Sequence, residues 1–211
     1  MAHAVLLGDS VFDNAAYVGG GPDVIHQLGR MLAGGHQATL LAIDGAVMAG
    51  IPAQLGTVPP HATHLVVSVG GNDALQHAAV LSGQARSMAD ALDQLGTIGA
   101  EFRSGYANML SSVLARALPT AVCTIYEPRF PDPLQRQRGS TALAVLNDAI
   151  TREAFAKGVT LLDLRLICNA DEDFANPIEP SVQGGRKIAD AIASFIDPTR
   201  STTRPTLVIA R

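Results

Sequence analysis

Three short polar stretches, each containing glycine, follow apolar runs in the first third of the sequence and hold the residues best suited to chemistry. They are Gly8-Asp9-Ser10, Asp44-Gly45-Ala46 and Gly70-Gly71-Asn72-Asp73. A serine hydroxyl at such a turn suits attack on a carbonyl carbon, and the oxyanion that results requires fixed N–H donors. The backbone N–H groups of Ser10 and Gly45 and the side-chain amide of Asn72 are candidates for these donors. Together the stretches predict acyl transfer through Ser10.

Each stretch also has an ordinary structural interpretation. Ser10 or Asn72 alone would suit the start of a helix, and Gly45 alone would suit a turn. Asp9 and Asp73 are interpreted as helix caps that also tie the loops together. The functional interpretation depends on finding all three stretches at successive strand ends.

The elements that must position these residues follow from the apolar pattern. Nearly continuous apolar runs predict buried parallel strands over residues 3–8, 38–43, 65–69, 120–126 and 160–164. Helix-like segments lie between or after them, over residues 23–32, 85–95, 101–118, 141–157 and 181–196. This alternation predicts an α/β fold with a mostly parallel, doubly wound sheet, whose ligands bind at the carboxyl ends of the strands.

The three stretches resemble blocks of the SGNH (GDSL-type) hydrolase family. Gly8-Asp9-Ser10 matches the nucleophile block, Gly45 the lone glycine, and Gly70-Gly71-Asn72-Asp73 the Gly-x-Asn-Asp block. The resemblance extends to about Ile196 and implies a flavodoxin-like α/β/α sandwich. It also implies that Ser10 is the nucleophile and that Ser10, Gly45 and Asn72 form the oxyanion hole. The expected activity is hydrolysis of a small carboxylic ester, esterase or lipase-like, with no cofactor and no metal.

The fourth block departs from the family pattern of Asp-x-x-His followed by Pro. Asn176 stands at the Asp position and Glu179 at the His position, and Pro180 follows. An unperturbed glutamate has a pKa of about 4.3, too low for a good base, but burial can raise it by roughly 3–5 units. We therefore expect Glu179 to be an atypical base that Asn176 orients by a hydrogen bond. The alternative is a catalytically impaired protein of this fold that binds an acyl or acetylated ligand.

A few other residues are candidates to replace the histidine of the fourth block or to bind a different ligand. His77 is the only histidine close in sequence to a proposed site loop, and its alternative is a solvated helix position. The acidic run Asp171-Glu172-Asp173 is interpreted as a solvated loop. A nucleotide-binding flavodoxin-like protein is disfavoured, because Gly19-Gly20-Gly21-Pro22 is glycine-rich but lacks a phosphate-loop pattern. The pocket walls are expected from residues 81–99 and 128–139.

Composition narrows the class of protein. A net charge of −4, no Lys/Arg run and 4% aromatic residues argue against nucleic-acid binding. No secretory signal or membrane span is recognised, so a cytoplasmic protein acting on a small molecule is expected. Cys123 and Cys168 form no disulfide framework, and Cys123 is expected in the core. One domain is predicted over residues 1–197, followed by a tail over 198–211 that would be an extra edge strand or an arm docking a second copy in a homo-oligomer.

Overall fold

A five-stranded parallel sheet is the centre of the structure, a computed structural model that describes residues 1–32, 34–200, 206 and 208. The strands are β1 (His3–Gly8), β2 (Gln37–Leu40), β3 (His64–Ser68), β4 (Thr120–Cys123) and β5 (Thr160–Leu162), in the order β2-β1-β3-β4-β5. All four pairings are parallel. The predicted α/β, doubly wound fold is confirmed.

Helices cover both faces of the sheet. They are α1 (Val24–Met31), α2 (Ile51–Gly56), α3 (Gly71–Gln76), α4 (Met88–Leu114), α5 (Pro133–Ala156), α6 (Leu164–Ile167) and α7 (Val182–Ile196). Successive residues of β1 point to opposite faces, so Val5 and Leu7 join the core under α4 and α5, whereas Leu6 joins the core under α1 and α7. A small antiparallel pair, β6 (Phe174–Asn176) and β7 (Glu179–Pro180), precedes α7.

The strand order places the predicted loops at one edge. The chain leaves β1 toward β2 on one side and then crosses to β3 on the other, so the order reverses between β1 and β3. Ligand crevices of open parallel sheets lie at such a point, outside the carboxyl ends of the strands. The turn with Ser10 follows β1, and the turn with Asn72 follows β3.

The helix boundaries differ from the prediction in two places. Residues 85–95 and 101–118 were predicted as two helices, but α4 runs unbroken from Met88 to Leu114. A Cβ at Gly99 would lie 2.6 Å from the Val145 Cγ1 atom of α5, so this glycine permits close helix packing and does not end a helix. Similarly, α5 begins at Pro133 and not at residue 141, because Asp132 caps it by accepting from the Leu134 N–H at 2.8 Å.

Further differences concern short elements. The helices α2, α3 and α6 were not predicted, because four to six residues are too few to show a helical period. The strand predicted over residues 160–164 ends at Leu162, since Leu164 begins α6. The strand β4 ends at Cys123 and not at residue 126. Beyond it, the backbone N–H and C=O of Ile125 bind the Asn147 side chain, each at 2.8 Å, instead of a neighbouring strand.

The C-terminal region beyond α7 begins with a 3-10 turn, Pro198–Arg200. The predicted edge strand or docking arm in the tail falls outside the described residues. Cys123 and Cys168 are buried, free thiols, and Cys123 lies in the core as expected. Within the described part of the chain, no helix combines the length and apolar character needed to cross a membrane.

Candidate active site

The turn that carries Ser10 is shaped by the glycine before it. Gly8 has φ +132°, and a Cβ there would lie 1.8 Å from the Ser68 carbonyl oxygen, so no other residue fits. The buried Gln54 amide binds both backbone polar groups of Gly8: its Oε1 accepts from the Gly8 N–H at 2.7 Å and its Nε2 donates to the Gly8 carbonyl at 2.8 Å. The chain therefore leaves β1 in one fixed direction and places Ser10 at the sheet edge.

Ser10 and Glu179 meet at this edge. The Ser10 hydroxyl donates a hydrogen bond of 3.1 Å to Glu179 Oε1, although the residues are 169 positions apart. Both side chains are buried, each residue being 7% exposed. The second carboxylate oxygen, Glu179 Oε2, is buried without a hydrogen-bond partner among the described residues. The structure thus brings the predicted nucleophile and the predicted base into direct contact.

Burial changes the acidity of Glu179. Removal of the carboxyl from water raises its pKa to about 7, with a smaller contribution from the Asp44 charge, while the hydrogen bond from Ser10 acts in the opposite direction. A base is most effective when its pKa is near the working pH. The local environment therefore turns an ordinary carboxyl into a group that can take up a proton near neutral pH.

Asn176 holds the turn that leads into the short strand β7. Asn176 Oδ1 accepts from the backbone N–H groups of Ile178 and Glu179, both at 3.0 Å. Asn176 thus accepts its hydrogen bond from the Glu179 backbone N–H and does not bind the Glu179 carboxylate. This contact fixes the turn between β6 and β7, so any orientation of the carboxylate by Asn176 acts through the backbone.

Asn14 is a positioning residue for which the sequence predicted no role. It is fully buried, its Nδ2 donates to the Pro180 carbonyl at 3.2 Å, and its Oδ1 accepts from the Val24 N–H at 3.0 Å. Asn14 therefore ties the nucleophile turn to the strand that carries Glu179. Its position four residues after Ser10 was the only signal that could have identified it.

The three predicted oxyanion donors lie in loops that begin at the sheet edge. Asn72 Nδ2 donates to the Ala46 carbonyl at 3.0 Å, which uses one of its two N–H bonds. Neither the Ser10 N–H nor the Gly45 N–H donates to an acceptor within the described part of the chain. A Cβ at Gly45 would meet nothing within 4 Å, and its φ of +78° is what requires glycine.

The loop that carries Gly45 is tied down at both ends. Asp13 Oδ2 accepts from the Asp44 N–H at 3.0 Å, and the Tyr17 hydroxyl donates to Asp44 Oδ2 at 2.7 Å. On the other side, both carboxylate oxygens of Asp73 accept from the Met48 N–H, at 3.1 and 3.3 Å. This geometry agrees with the interpretation of Asp73 as a residue that ties two loops together.

Asp9, the neighbour of the nucleophile, is almost completely buried. Its Oδ1 accepts from the Val11 N–H at 3.2 Å. The pKa of Asp9 is raised to about 8, mainly by burial and in smaller part by the Glu179 and Asp73 carboxylates, while the hydrogen bond from the Val11 N–H lowers it. Asp9 is therefore mostly protonated at neutral pH and places no full negative charge beside Ser10.

The histidines do not supply the missing base. His77 lines a cavity next to Ser10, but its ring makes no hydrogen bond to any described residue. His3 and His64 lie at the starts of β1 and β3, at the edge opposite to the site, and the His61 ring packs on His3 at 4.6 Å. Among the described residues, Glu179 is the only partner that forms a hydrogen bond with the Ser10 hydroxyl.

Asp173 corrects the interpretation of the acidic run as a solvated loop. It is fully buried and accepts from Lys187 Nζ at 2.7 Å and from the Ala170 N–H at 3.0 Å. Its backbone carbonyl accepts from the Ser181 N–H at 2.8 Å, just after Glu179 and Pro180. This pairing could not be predicted from the local pattern, because the partner Lys187 lies fourteen residues away on α7.

Comparisons with known proteins identify the family and the fold of this chain. The family model described as "GDSL-like Lipase/Acylhydrolase family" matches residues 6–187, so the chain belongs to this family. A search of curated protein sequences finds no significant match.

Solved structures with the same fold include three enzymes. An extracellular lipase from Streptomyces rimosus is 15% identical, with 94% of this chain and 99% of that chain covered and a TM-score of 0.70. Phospholipase A1 from Streptomyces albidoflavus NA297 is 16% identical, with 93% of this chain and 98% of that chain covered and a TM-score of 0.66. The carbohydrate acetylesterase Est24 from Sinorhizobium meliloti is 13% identical, with 94% of this chain and 100% of that chain covered and a TM-score of 0.66. At these identities, the likeness shows the fold.

Proposed function

We propose that this protein is a serine hydrolase that cleaves a carboxylic ester, with Ser10 as nucleophile and Glu179 as base. The observation that carries the proposal is the 3.1 Å hydrogen bond from the Ser10 hydroxyl to a buried glutamate whose pKa is about 7. Membership of a lipase/acylhydrolase family supports it. Similar folds in a lipase and an acetylesterase support the same class of bond.

In the first step, Glu179 accepts the proton of the Ser10 hydroxyl while the Ser10 oxygen attacks the ester carbonyl carbon. The carbonyl oxygen becomes an oxyanion, which accepts hydrogen bonds from the Ser10 and Gly45 N–H groups and from Asn72 Nδ2. The protonated Asp9 matters here, because a carboxylate beside Ser10 would oppose the developing negative charge.

The tetrahedral intermediate then collapses. The bond to the leaving alcohol breaks, the alcohol oxygen takes the proton from Glu179, and an acyl-Ser10 ester remains. In the second half, Glu179 accepts a proton from water as the water oxygen attacks the acyl carbon. The Ser10 oxygen leaves with that proton, so one ester and one water give one acid and one alcohol, and the enzyme is restored.

A fluorophosphonate probe tests the nucleophile directly. We expect the intact protein to be labelled at Ser10 and to hydrolyse short-chain nitrophenyl esters, and Ser10→Ala to lose both properties. Ser104→Ala, which changes an exposed serine of α4, should retain both. If the intact protein is not labelled and turns esters over no faster than Ser10→Ala, the proposal is wrong.

The alternative of an impaired acyl-binding protein has less support. Without the histidine of the family pattern, Ser10 would lack a base unless another group replaced it. Glu179 lies within hydrogen-bonding distance of the Ser10 hydroxyl and has a suitable pKa. A cytoplasmic location and a homo-oligomer formed through the tail remain predictions from the sequence.

A further inference from the structure

A cavity of about 140 Å³ is lined in part by Ser10, and Asp44 and Gly45 are not among its lining residues. Its walls come from α3, the 3-10 turn Ala78–Ser82, α4, the segment after β4, and α5. Most of the lining is apolar and includes Leu75, Leu81, Leu95, Ile98, Ile125 and Leu143. A ligand that fills this space must therefore present an apolar surface.

Polar residues also line the cavity, among them Ser10, Asn72, Glu179 and His77. No lysine or arginine of the described residues is part of the lining, so an anionic group would find no permanently charged cation there. This pattern fits a ligand with a carbonyl at Ser10 and an uncharged hydrocarbon beyond it.

We propose that this cavity is the acyl pocket and that it selects an apolar acyl group of about six carbons or the size of a phenyl ring. The inference rests on the proposed function and names its substrate class. The size of the acyl group follows from the cavity volume, since an apolar cavity of about 150 Å³ holds a benzene molecule. An acetyl group would leave most of the apolar wall without contacts.

The acyl half of the ester suits this apolar pocket better than the alcohol half does. The acyl group stays attached to Ser10 through both chemical steps, whereas the alcohol must diffuse away between them. Asp44 and Gly45 are exposed and lie outside the cavity lining, so their loop offers carboxylate and backbone groups instead of an apolar wall. The alcohol therefore leaves toward solvent.

The first test compares two isomeric esters, ethyl hexanoate and hexyl acetate, which have the same atoms but exchange the long chain between acyl and alcohol. Burial of one methylene contributes about 0.8 kcal/mol, or roughly fourfold in affinity. We expect kcat/KM for ethyl hexanoate to exceed that for hexyl acetate and for ethyl acetate by at least ~10-fold. Equal rates, or faster hydrolysis of hexyl acetate, would overturn the assignment of the pocket.

Two alanines of α5 give a matched pair of variants. Ala142 lines the cavity, whereas Ala144 is exposed on the same helix and does not. Ala142→Leu should fill part of the space, lower kcat/KM for ethyl hexanoate by about 10-fold and change ethyl acetate less than twofold. Ala144→Leu should leave both unchanged. Equal effects of the two substitutions on both esters would contradict the proposal.

Should Ala142→Leu fail to fold, as judged by circular dichroism, Ala78→Leu replaces it. Ala78 lines the cavity from the 3-10 turn, and its neighbour Ala79, which does not, supplies the control. Ala78 and Ala79 are both exposed and belong to the same turn, and the difference of interest is that a leucine at Ala78 would enter the cavity. We expect Ala78→Leu to lower kcat/KM for ethyl hexanoate in the same way, with little change for ethyl acetate.

Calorimetric binding of N-methylhexanamide and N-methylacetamide separates failure of the pocket from failure of the hydrolase. These amides need no catalysis, so they are titrated into both the intact protein and Ser10→Ala. Tighter binding of the hexanamide, weakened by Ala142→Leu, would support the pocket even if no ester is hydrolysed. Ser10-dependent hydrolysis without any chain-length preference would leave the hydrolase and reject the pocket.

Discussion

Glu179 shows how burial can move the acidity of a side chain away from the value typical of its residue type. Its carboxyl is buried, one oxygen accepts from Ser10, and the other has no partner among the described residues. Burial disfavours the charged carboxylate, the hydrogen bond from Ser10 offsets this only in part, and the pKa rises to about 7. The desolvation that suits Glu179 to the proposed role of base also costs stability whenever the group is ionised.

The stability of the protein should therefore depend on Glu179 and on pH. Because the folded-state pKa exceeds that of an exposed glutamate, the folded state binds more protons between about pH 4.5 and pH 7, and stability falls as pH rises through this range. Glu179→Gln removes that cost. We expect it to raise the free energy of unfolding at pH 8 by on the order of 2 kcal/mol and to have little effect at pH 4.

Urea unfolding at both pH values measures this difference. Glu172→Gln is the control, because Glu172 is an exposed glutamate of the neighbouring 3-10 turn and should show no such gain. A Glu179→Gln variant that is less stable than the intact protein at pH 8 would contradict the account of the buried carboxyl.

At the scale of elements, the site depends on contacts between segments that are distant in sequence. The turn after β1 and the strand β7 carry the two reacting side chains, and Asn14 joins them through the Pro180 carbonyl. Asp173 and Lys187 fix the start of α7, just beyond β7. The 3.1 Å contact between Ser10 and Glu179 is thus the product of several supporting contacts.

Loss of the Asn14 side chain should damage both stability and turnover. Asn14→Ala leaves the Val24 N–H and the Pro180 carbonyl without their partner, at a cost of about 1–3 kcal/mol. Ester turnover by the folded variant should fall mainly in kcat, because the nucleophile and the base are no longer held together. Asn108→Ala, on the exposed face of α4, is the control for both measurements.

Denaturation and steady-state kinetics of the two asparagine variants provide the check. A folded Asn14→Ala protein with unchanged kcat would show that the link between the turn and β7 has no part in catalysis.

For the whole molecule, the parallel sheet explains why so much of the site could be predicted. Carboxyl ends of parallel strands meet at one edge, so loops far apart in sequence converge there, and the order of β1, β2 and β3 places Ser10, Gly45 and Asn72 together in that region. The apolar runs that predict the strands are themselves consequences of burial on both faces. Fold and candidate site share this one cause.

Other features could not be predicted, because they depend on partners that the local pattern does not show. Gly99 lies in the gap between the two helices predicted over residues 85–95 and 101–118, but in the structure it is inside α4 and packs against Val145. Asp173 resembles a solvated acid until Lys187 is found beside it. Asn176 was expected to contact the Glu179 carboxylate, but its hydrogen bond is to the backbone N–H. In each case, tertiary contacts decide the role of a residue whose sequence context is ambiguous.

The pH dependence of kcat/KM, measured on a nitrophenyl ester, tests the central claim that Glu179 activates Ser10. Activity should rise with pH around an apparent pKa near 7, and Glu179→Gln should lower kcat/KM by about 10²–10⁴-fold. His77→Gln is the necessary control, because His77 is the histidine that lines the cavity beside Ser10. It should retain the profile. A Glu179→Gln enzyme with nearly full activity, or a His77→Gln enzyme that loses the pH dependence, would contradict the account.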